Sequence, residues 1–170
     1  EALRHLNKPC FAVMITSDKC YENKEWVWGY KEDDQLGGKD IYSASKAAAE
    51  IGVRSYYHSF LEGTNVRVAT ARAGNVIGGG DWSEDRVVPD CVKGWKSKSK
   101  VELRNPDATR PWQHVLEPLS GYLTLARKLS VDDSLSGESF NFGPGYECNF
   151  SVHQLVNKLS TYLSGFQYKI

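Results

Sequence analysis

A continuous apolar run, Cys10 to Thr16 (CFAVMIT), follows a polar stretch that Pro9 closes. Such a run, with Val and Ile and no polar alternation, predicts a strand buried on both faces, as in a parallel sheet. Val66 to Ala71 (VRVATA) predicts the next buried strand. Between them, Ile41 to Leu61 reads as a helix. Ala47 to Glu50 favour it, and apolar residues continue through Val53, Tyr56, Tyr57 and Phe60 until Gly63 and Thr64 end it. Glu22 to Asp40 is rich in Gly, Asp and Lys and predicts a long loop, a length that favours a functional segment.

The second half is patterned in shorter pieces. Gly74 to Asp81 (GNVIGGGD) reads as a loop, Val87 to Trp95 as a short helix begun near Pro89, and Val101 to Leu103 as a short strand. Pro111 to Leu116 is extended and Glu117 to Leu129 is an amphipathic helix. Ser139 to Phe142 is a strand, Ser151 caps a helix to about Leu163, and Gln167 to Ile170 begins another strand. Strand, helix, strand, then short mixed elements imply an α/β fold with a parallel sheet and an irregular smaller lobe. Glu1 to Lys8 resembles the tail of a helix, so the chain is expected to begin in mid-protein.

Composition narrows the function classes. The 170 residues are 41% hydrophobic and 25% charged, which argues for a folded chain. Lys plus Arg equal Asp plus Glu at 21 each, which disfavours a dedicated nucleic-acid binder. No apolar run is long enough for a membrane span. Cys10, Cys20, Cys91 and Cys148 form no CxxC pair and the histidines are scattered, so a metal site is not expected. Cys10 and Cys91 read as buried free thiols, which suits a reducing cytoplasm. The basic run Trp95 to Lys100 reads as a solvated loop.

The chemistry sits in Tyr42-Ser43-Ala44-Ser45-Lys46. Residues four apart share a helix face, which puts the Lys46 ammonium beside the Tyr42 phenol. A free phenol, with a pKa of about 10, is a poor base near neutrality. A nearby cation stabilises the phenolate, and such a pair can take a proton from a sugar or alcohol hydroxyl while hydride leaves the same carbon. The spacing alone is weak, since a surface Lys beside a half-buried Tyr gives the same pattern. Its surroundings strengthen it. The first strand ends in Thr16-Ser17-Asp18-Lys19 and the second in Arg72-Ala73-Gly74-Asn75. Parallel sheets bind ligands beyond the carboxyl ends of their strands.

TSDKCY (Thr16 to Tyr21), YSASK (Tyr42 to Lys46), ARAGNVIGGGDW (Ala71 to Trp82) and RNPDATRPWQHVLEPLSGYL (Arg104 to Leu123) resemble the extended short-chain dehydrogenase/reductase family. Within it they resemble the nucleotide-sugar 4,6-dehydratases. Asp18-Lys19 matches the branch acting on CDP-glucose rather than the dTDP-glucose branch, which usually carries Asp-Glu there. The resemblance implies the C-terminal half of a Rossmann-type parallel sheet plus part of a smaller mixed α/β substrate lobe. Residues 1–75 would be the later part of the NAD-binding domain. Residues 76–170 would be mostly sugar-nucleotide lobe, with elements returning to the sheet. The family's glycine-rich GxxGxxG turn is not in this sequence, and Gly78 to Gly80 follows the wrong strand to replace it. The chain is therefore expected to be the middle and later part of a longer enzyme.

The resemblance also implies roles. Tyr42 is the base at sugar carbon 4, Lys46 assists it and holds the nicotinamide ribose, and Ser17 hydrogen-bonds the same hydroxyl. Asp18 protonates the departing carbon-6 hydroxyl and Lys19 handles the carbon-5 proton. A role for Asp18 in capping backbone amides is the alternative. NAD contacts fall to Tyr42, Lys46, Arg72 and Ala73. The nucleotide sugar falls to Asn75, Arg104, Arg110 and His114, with a surface ion pair open for Arg104 and a structural role open for His114. Trp26, Trp28, Trp82 and Trp112 either flank the site or pack. A cytoplasmic homodimer or higher homo-oligomer, supplying a deoxysugar pathway for surface polysaccharide, is the expectation. A nucleotide-sugar epimerase or decarboxylase, or an inactive sugar-nucleotide-binding chain, stays open beside it.

Overall fold

A computed structural model describes residues 1–170. The strands are β1 (Cys10–Ile15), β2 (Val66–Ala73), β3 (Val76–Ile77), β4 (Val101–Glu102), β5 (Thr109–Pro111), β6 (Gln113–His114), β7 (Ser139–Phe142), β8 (Asn149–Ser151) and β9 (Tyr168–Lys169). The α-helices are α1 (Ile41–Tyr56), α2 (Val87–Ser97), α3 (Leu116–Leu129) and α4 (Val152–Ser160). The chain divides into two compact units, Glu1–Gly74 with Leu116–Gly143, and Asn75–Val115 with Pro144–Ile170.

The first unit is a three-layer α/β sandwich. Its sheet, in the order β1-β2-β7, is parallel throughout. Side chains alternate across a strand, so β2 serves both faces. Ala69 and Ala71 point to the α3 side and pack with Leu125 and Leu129. Val66 and Val68 point to the α1 side and pack with Leu61, Val53 and Tyr56. Alanines on the α3 side leave room for that helix to lie close. At Gly121 the approach is closest, where an added Cβ would stand 2.3 Å from the Phe142 ring. The helix carrying Tyr42 continues past α1 as a π-turn, Tyr57–Leu61, so the predicted end at Leu61 is met.

Within this chain strand β1 pairs with β2, and Phe11 and Ile15 on it are 38% and 57% exposed. Glu1 to Lys8 forms a single 3-10 turn, Ala2–His5.

In the second unit, α2 and α4 enclose Cys91, Leu103 and Val156. Ser151 caps α4 with a reciprocal capping box to Gln154. Three two-stranded pairs complete it: β3 with β6 and β4 with β9, both parallel, and β5 with β8, antiparallel. No helix is long and apolar enough to cross a membrane.

Candidate active site

Strand β1 delivers the chain into a one-turn 3-10 helix, Asp18–Cys20. Ser17 caps this turn from an extended conformation. Its Oγ accepts from the Lys19 amide at 3.2 Å and donates to Asp18 Oδ1 at 3.1 Å. The amide cap is therefore Ser17, while the Asp18 carboxylate lies 3.4 Å from Lys19 Nζ. Both charged groups keep partial access to solvent. An accessible pair of this kind adds little to stability, but it holds a carboxylate and an ammonium side by side.

Helix α1 brings the second set. Asp40 caps it, accepting from the Ser43 amide at 3.0 Å and from Ser43 Oγ at 2.6 Å. This cap fixes the first turn, which contains Tyr42. Tyr42 is 55% exposed, and Lys46 Nζ stands 5.5 Å from its ring centroid. One residue beyond Lys46, Ala47 turns inward onto Cys20 and Tyr21. That small contact lets α1 pack on the Asp18–Cys20 turn. The strand-end triplet Ser17-Asp18-Lys19 and the Tyr42–Lys46 pair thus belong to two packed elements of one unit.

Beneath this helix lies a polar network the sequence pattern does not disclose. Glu50 and Arg72 are buried, 2% and 3% exposed, with Oε2 and Nη2 2.7 Å apart. The Glu50 carboxylate also accepts from the hydroxyls of Thr16, Thr70 (2.7 Å) and Ser139 (3.1 Å). Burial alone would raise its pKa. Hydrogen bonds from Arg72, Thr16 and Thr70, with the Arg72 charge, outweigh that and hold it below the ordinary carboxylate range. Arg72 Nη1 donates to the Tyr21 hydroxyl at 2.7 Å and to the Glu32 carbonyl at 2.9 Å. Tyr21 donates onward to Asn141 Oδ1 at 2.7 Å. The Arg72 guanidinium is thus committed inside the unit, although its Nε has no partner. The available signal for Glu50 was its place eight residues after Tyr42 and four after Lys46, on one helix stripe.

Of the remaining predicted residues, Ala73 ends β2 in the first unit, while Asn75, Arg104, Arg110 and His114 belong to the second. Asn75 precedes β3, and its carbonyl accepts from the Gln113 amide at 3.3 Å. His114 is exposed on β6, in register with Ile77. Arg110, on β5, is half-buried and donates to the Thr109 carbonyl at 2.7 Å. Arg104 is exposed and forms an ion pair with Asp85. Trp112 donates to the Phe150 carbonyl at 3.0 Å, while Trp82 is exposed under Lys96. In the first unit Trp26 tilts against Tyr30 and Trp28 is exposed.

The sequence model of the NAD dependent epimerase/dehydratase family matches residues 1–143. The chain belongs to this family. Among characterised members of the epimerase/dehydratase family, it is 45% identical over 166 residues to a CDP-glucose 4,6-dehydratase of Salmonella typhimurium. That match covers 95% of this chain and 46% of the relative, so the chain spans about half the relative's length. Solved structures share the fold. A dTDP-glucose 4,6-dehydratase from Bacillus anthracis in complex with NAD superposes with a TM-score of 0.75 at 21% identity, over 92% of this chain and 48% of that one. A UDP-glucuronic acid 4-epimerase from Bacillus cereus does so at 0.82 and 16%, over 99% and 50%.

Proposed function

We propose that the protein containing this chain dehydrates CDP-glucose to its 4-keto-6-deoxy derivative with NAD as cofactor. The observation that carries this is the Asp18–Lys19 ion pair at the end of β1, packed against the helix of Tyr42 and Lys46. Epimerisation at carbon 4 needs a redox base but no acid and base for elimination. Dehydration needs both sets. The 45% identical CDP-glucose 4,6-dehydratase supports the same substrate.

The residues present fit the nicotinamide-ribose end of NAD, because an exposed phenol and an ammonium share one helix face near the strand ends. Tyr42 and Lys46 would hold it there, with the strand-end residues Arg72 and Ala73. Since the Arg72 side chain is engaged by Glu50 and Tyr21, its contribution would come from the backbone. When bound, NAD accepts hydride from sugar carbon 4 and returns it at carbon 6.

Tyr42, as phenolate, takes the proton of the carbon-4 hydroxyl while Lys46 offsets its charge. Ser17 hydrogen-bonds that same oxygen. The ketone so formed acidifies the carbon-5 hydrogen, whose proton Lys19 handles. Once the ion pair's proton has passed from Lys19 to Asp18, the neutral Lys19 amine takes the carbon-5 proton. Asp18 gives its own to the carbon-6 hydroxyl as it leaves, so water is lost across carbons 5 and 6 and the pair regains its charges. Lys19 then returns its proton to carbon 5 as hydride arrives at carbon 6. Arg110 supplies fixed charge for the diphosphate, with Asn75, Arg104 and His114 as further contacts. A cytoplasmic homo-oligomer is part of this proposal.

The test is a substrate panel. The whole enzyme, supplied with NAD, is expected to convert CDP-glucose to a 4-keto-6-deoxy sugar in preference to dTDP-glucose and UDP-glucose. Conversion of CDP-glucose to its carbon-4 epimer, with carbon 6 still hydroxylated, would overturn the assignment.

A further inference from the structure

Glu50 is joined to every strand of the first unit's sheet. Thr16, which donates to its Oε1, directly follows β1 and precedes Ser17. Thr70 and Arg72 belong to β2, and Ser139 opens β7; all three donate to its Oε2. On the helix side, Glu50 lies one turn past Lys46 and two past Tyr42, within the same α1. One buried carboxylate therefore ties the helix carrying the redox pair to the strand end carrying Ser17, Asp18 and Lys19.

We propose that Glu50 is a positioning residue, which through its bond to Thr16 sets the placement of Tyr42 and Lys46 relative to Ser17, Asp18 and Lys19. This rests on the function assigned above. The physical basis is directional. Beside these hydrogen bonds, Val53 and Tyr56 of α1 join the apolar cluster of Leu61, Val66 and Val68. Such contacts favour close packing but specify poorly how far a helix slides along a sheet. Hydrogen bonds fall off steeply with distance and angle. Four donors converging on one carboxylate leave the helix a single translational setting. Arg72 completes the device, since its charge keeps the carboxylate ionised and its second amino group reaches Tyr21, the residue after the Asp18–Cys20 turn. The network thus holds the catalytic turn from both ends, Thr16 before it and Tyr21 after it. Glu50 is buried beneath the helix face and acts through the residues it holds.

The experiment compares Thr16→Val, Glu50→Gln and Tyr42→Phe in the whole NAD-loaded enzyme. Thr16→Val keeps the β-branched shape and removes the hydroxyl that bonds Glu50, with its longer 3.4 Å approach to the Ala71 carbonyl. It is the decisive variant, because Glu50→Gln leaves Arg72 buried without a counter-charge and risks loss of folding. Three quantities are read: NAD bound per chain, CDP-glucose affinity, and the rate constant of first-turnover NADH appearance. We expect Thr16→Val to hold the first two and to lower the rate constant by about 10-fold to 100-fold, the range that misplacement of reacting groups produces. A folded Glu50→Gln enzyme should show at least the same loss. An unchanged rate constant in Thr16→Val overturns the inference. A fall in bound NAD with the rate per loaded chain unchanged overturns it as well, since that is the behaviour of a purely structural residue. Tyr42→Phe separates this failure from failure of the functional assignment. If Tyr42→Phe still oxidises substrate, the assigned chemistry is wrong and the inference falls with it.

Discussion

Arg72 Nη2 meets Glu50 Oε2 at 2.7 Å, and neither side chain reaches solvent. Removing one partner strands the other charge in a desolvated site. Arg72→Met should therefore lower unfolding free energy by about 3–5 kcal/mol. The double variant Glu50→Leu with Arg72→Met should lose less than the sum of the two single losses, which chemical denaturation of all four proteins would reveal. Additive losses would show that the two charges are not coupled.

The same pair predicts a response to acid. The Glu50 carboxyl is held below its ordinary range, so over the acidic interval the unfolded chain binds the proton more readily than the folded one. Its stabilising contribution is present above the unfolded value of about 4.3 and is lost as pH falls through the folded value. Thermal midpoints measured from neutrality downward should decline below that pH. Glu50→Gln, less stable at neutrality, should show a shallower decline. An equal slope in both proteins would assign acid sensitivity to other carboxylates.

Tyr42→Phe should leave the fold intact and abolish oxidation at carbon 4. The ring stays to meet Lys46, and the lost hydroxyl belongs to a residue more exposed than buried. Circular dichroism and NADH absorbance after mixing with CDP-glucose check the two halves. NADH formation at the native rate would remove Tyr42 from its assigned role.

Asp18→Asn should separate oxidation from elimination. The amide oxygen can still accept from Lys19 while its NH2 turns to Ser17 Oγ, but it cannot deliver a proton to a departing hydroxyl. The enzyme should accumulate NADH together with a 4-keto sugar that retains its carbon-6 oxygen, seen by mass spectrometry of quenched reactions. Lys19→Met should slow exchange of the carbon-5 hydrogen with deuterated solvent. Exchange at the native rate would exclude Lys19 as the base.

The thiols divide into two pairs. Cys20 and Cys91 are fully buried, and burial pushes each up to about 11; at Cys20 the Arg72 charge opposes the shift and Glu50 adds to it. Few thiolates exist there at mild alkaline pH, so a disulfide reagent should label Cys10 and Cys148 first. Cys20 and Cys91 should react on unfolding. Rapid labelling of Cys91 in the native protein would contradict its enclosure between α2 and α4.

The long elements were legible in the sequence. An unbroken apolar run marked β1, the Val- and Ala-rich VRVATA marked β2, helix-favouring composition marked α1, amphipathic pattern marked α3, and Ser151 marked the start of α4. Two-residue strands were not fully legible. Val76–Ile77 lies within the predicted Gly74 to Asp81 loop, and its partner is Gln113–His114, far along the chain. In the site, the strand-end triplet and the YxxxK spacing could be read locally. Glu50 could not, because its donors Thr16 and Ser139 stand 34 and 89 positions away. Periodicity flags a polar residue on a buried stripe but does not name its partners. Asp40 was a missed local signal, an Asp three residues before the Ser43 amide it caps.

The α1-facing side of β2 changes character along its length, from Val66 and Val68 to Thr70 and Arg72. A one-residue shift in its pairing would turn Arg72 toward the alanine layer beneath α3. A two-residue shift that puts Val68 where Thr70 stands would carry the Arg72 guanidinium away from Glu50. Either error buries a charge without its counter-ion, whereas an all-valine face would tolerate the second. The strand thus checks its own alignment as the chain folds, and only the alignment that seats the arginine also delivers Ser17 and Tyr42 to the same end of the sheet.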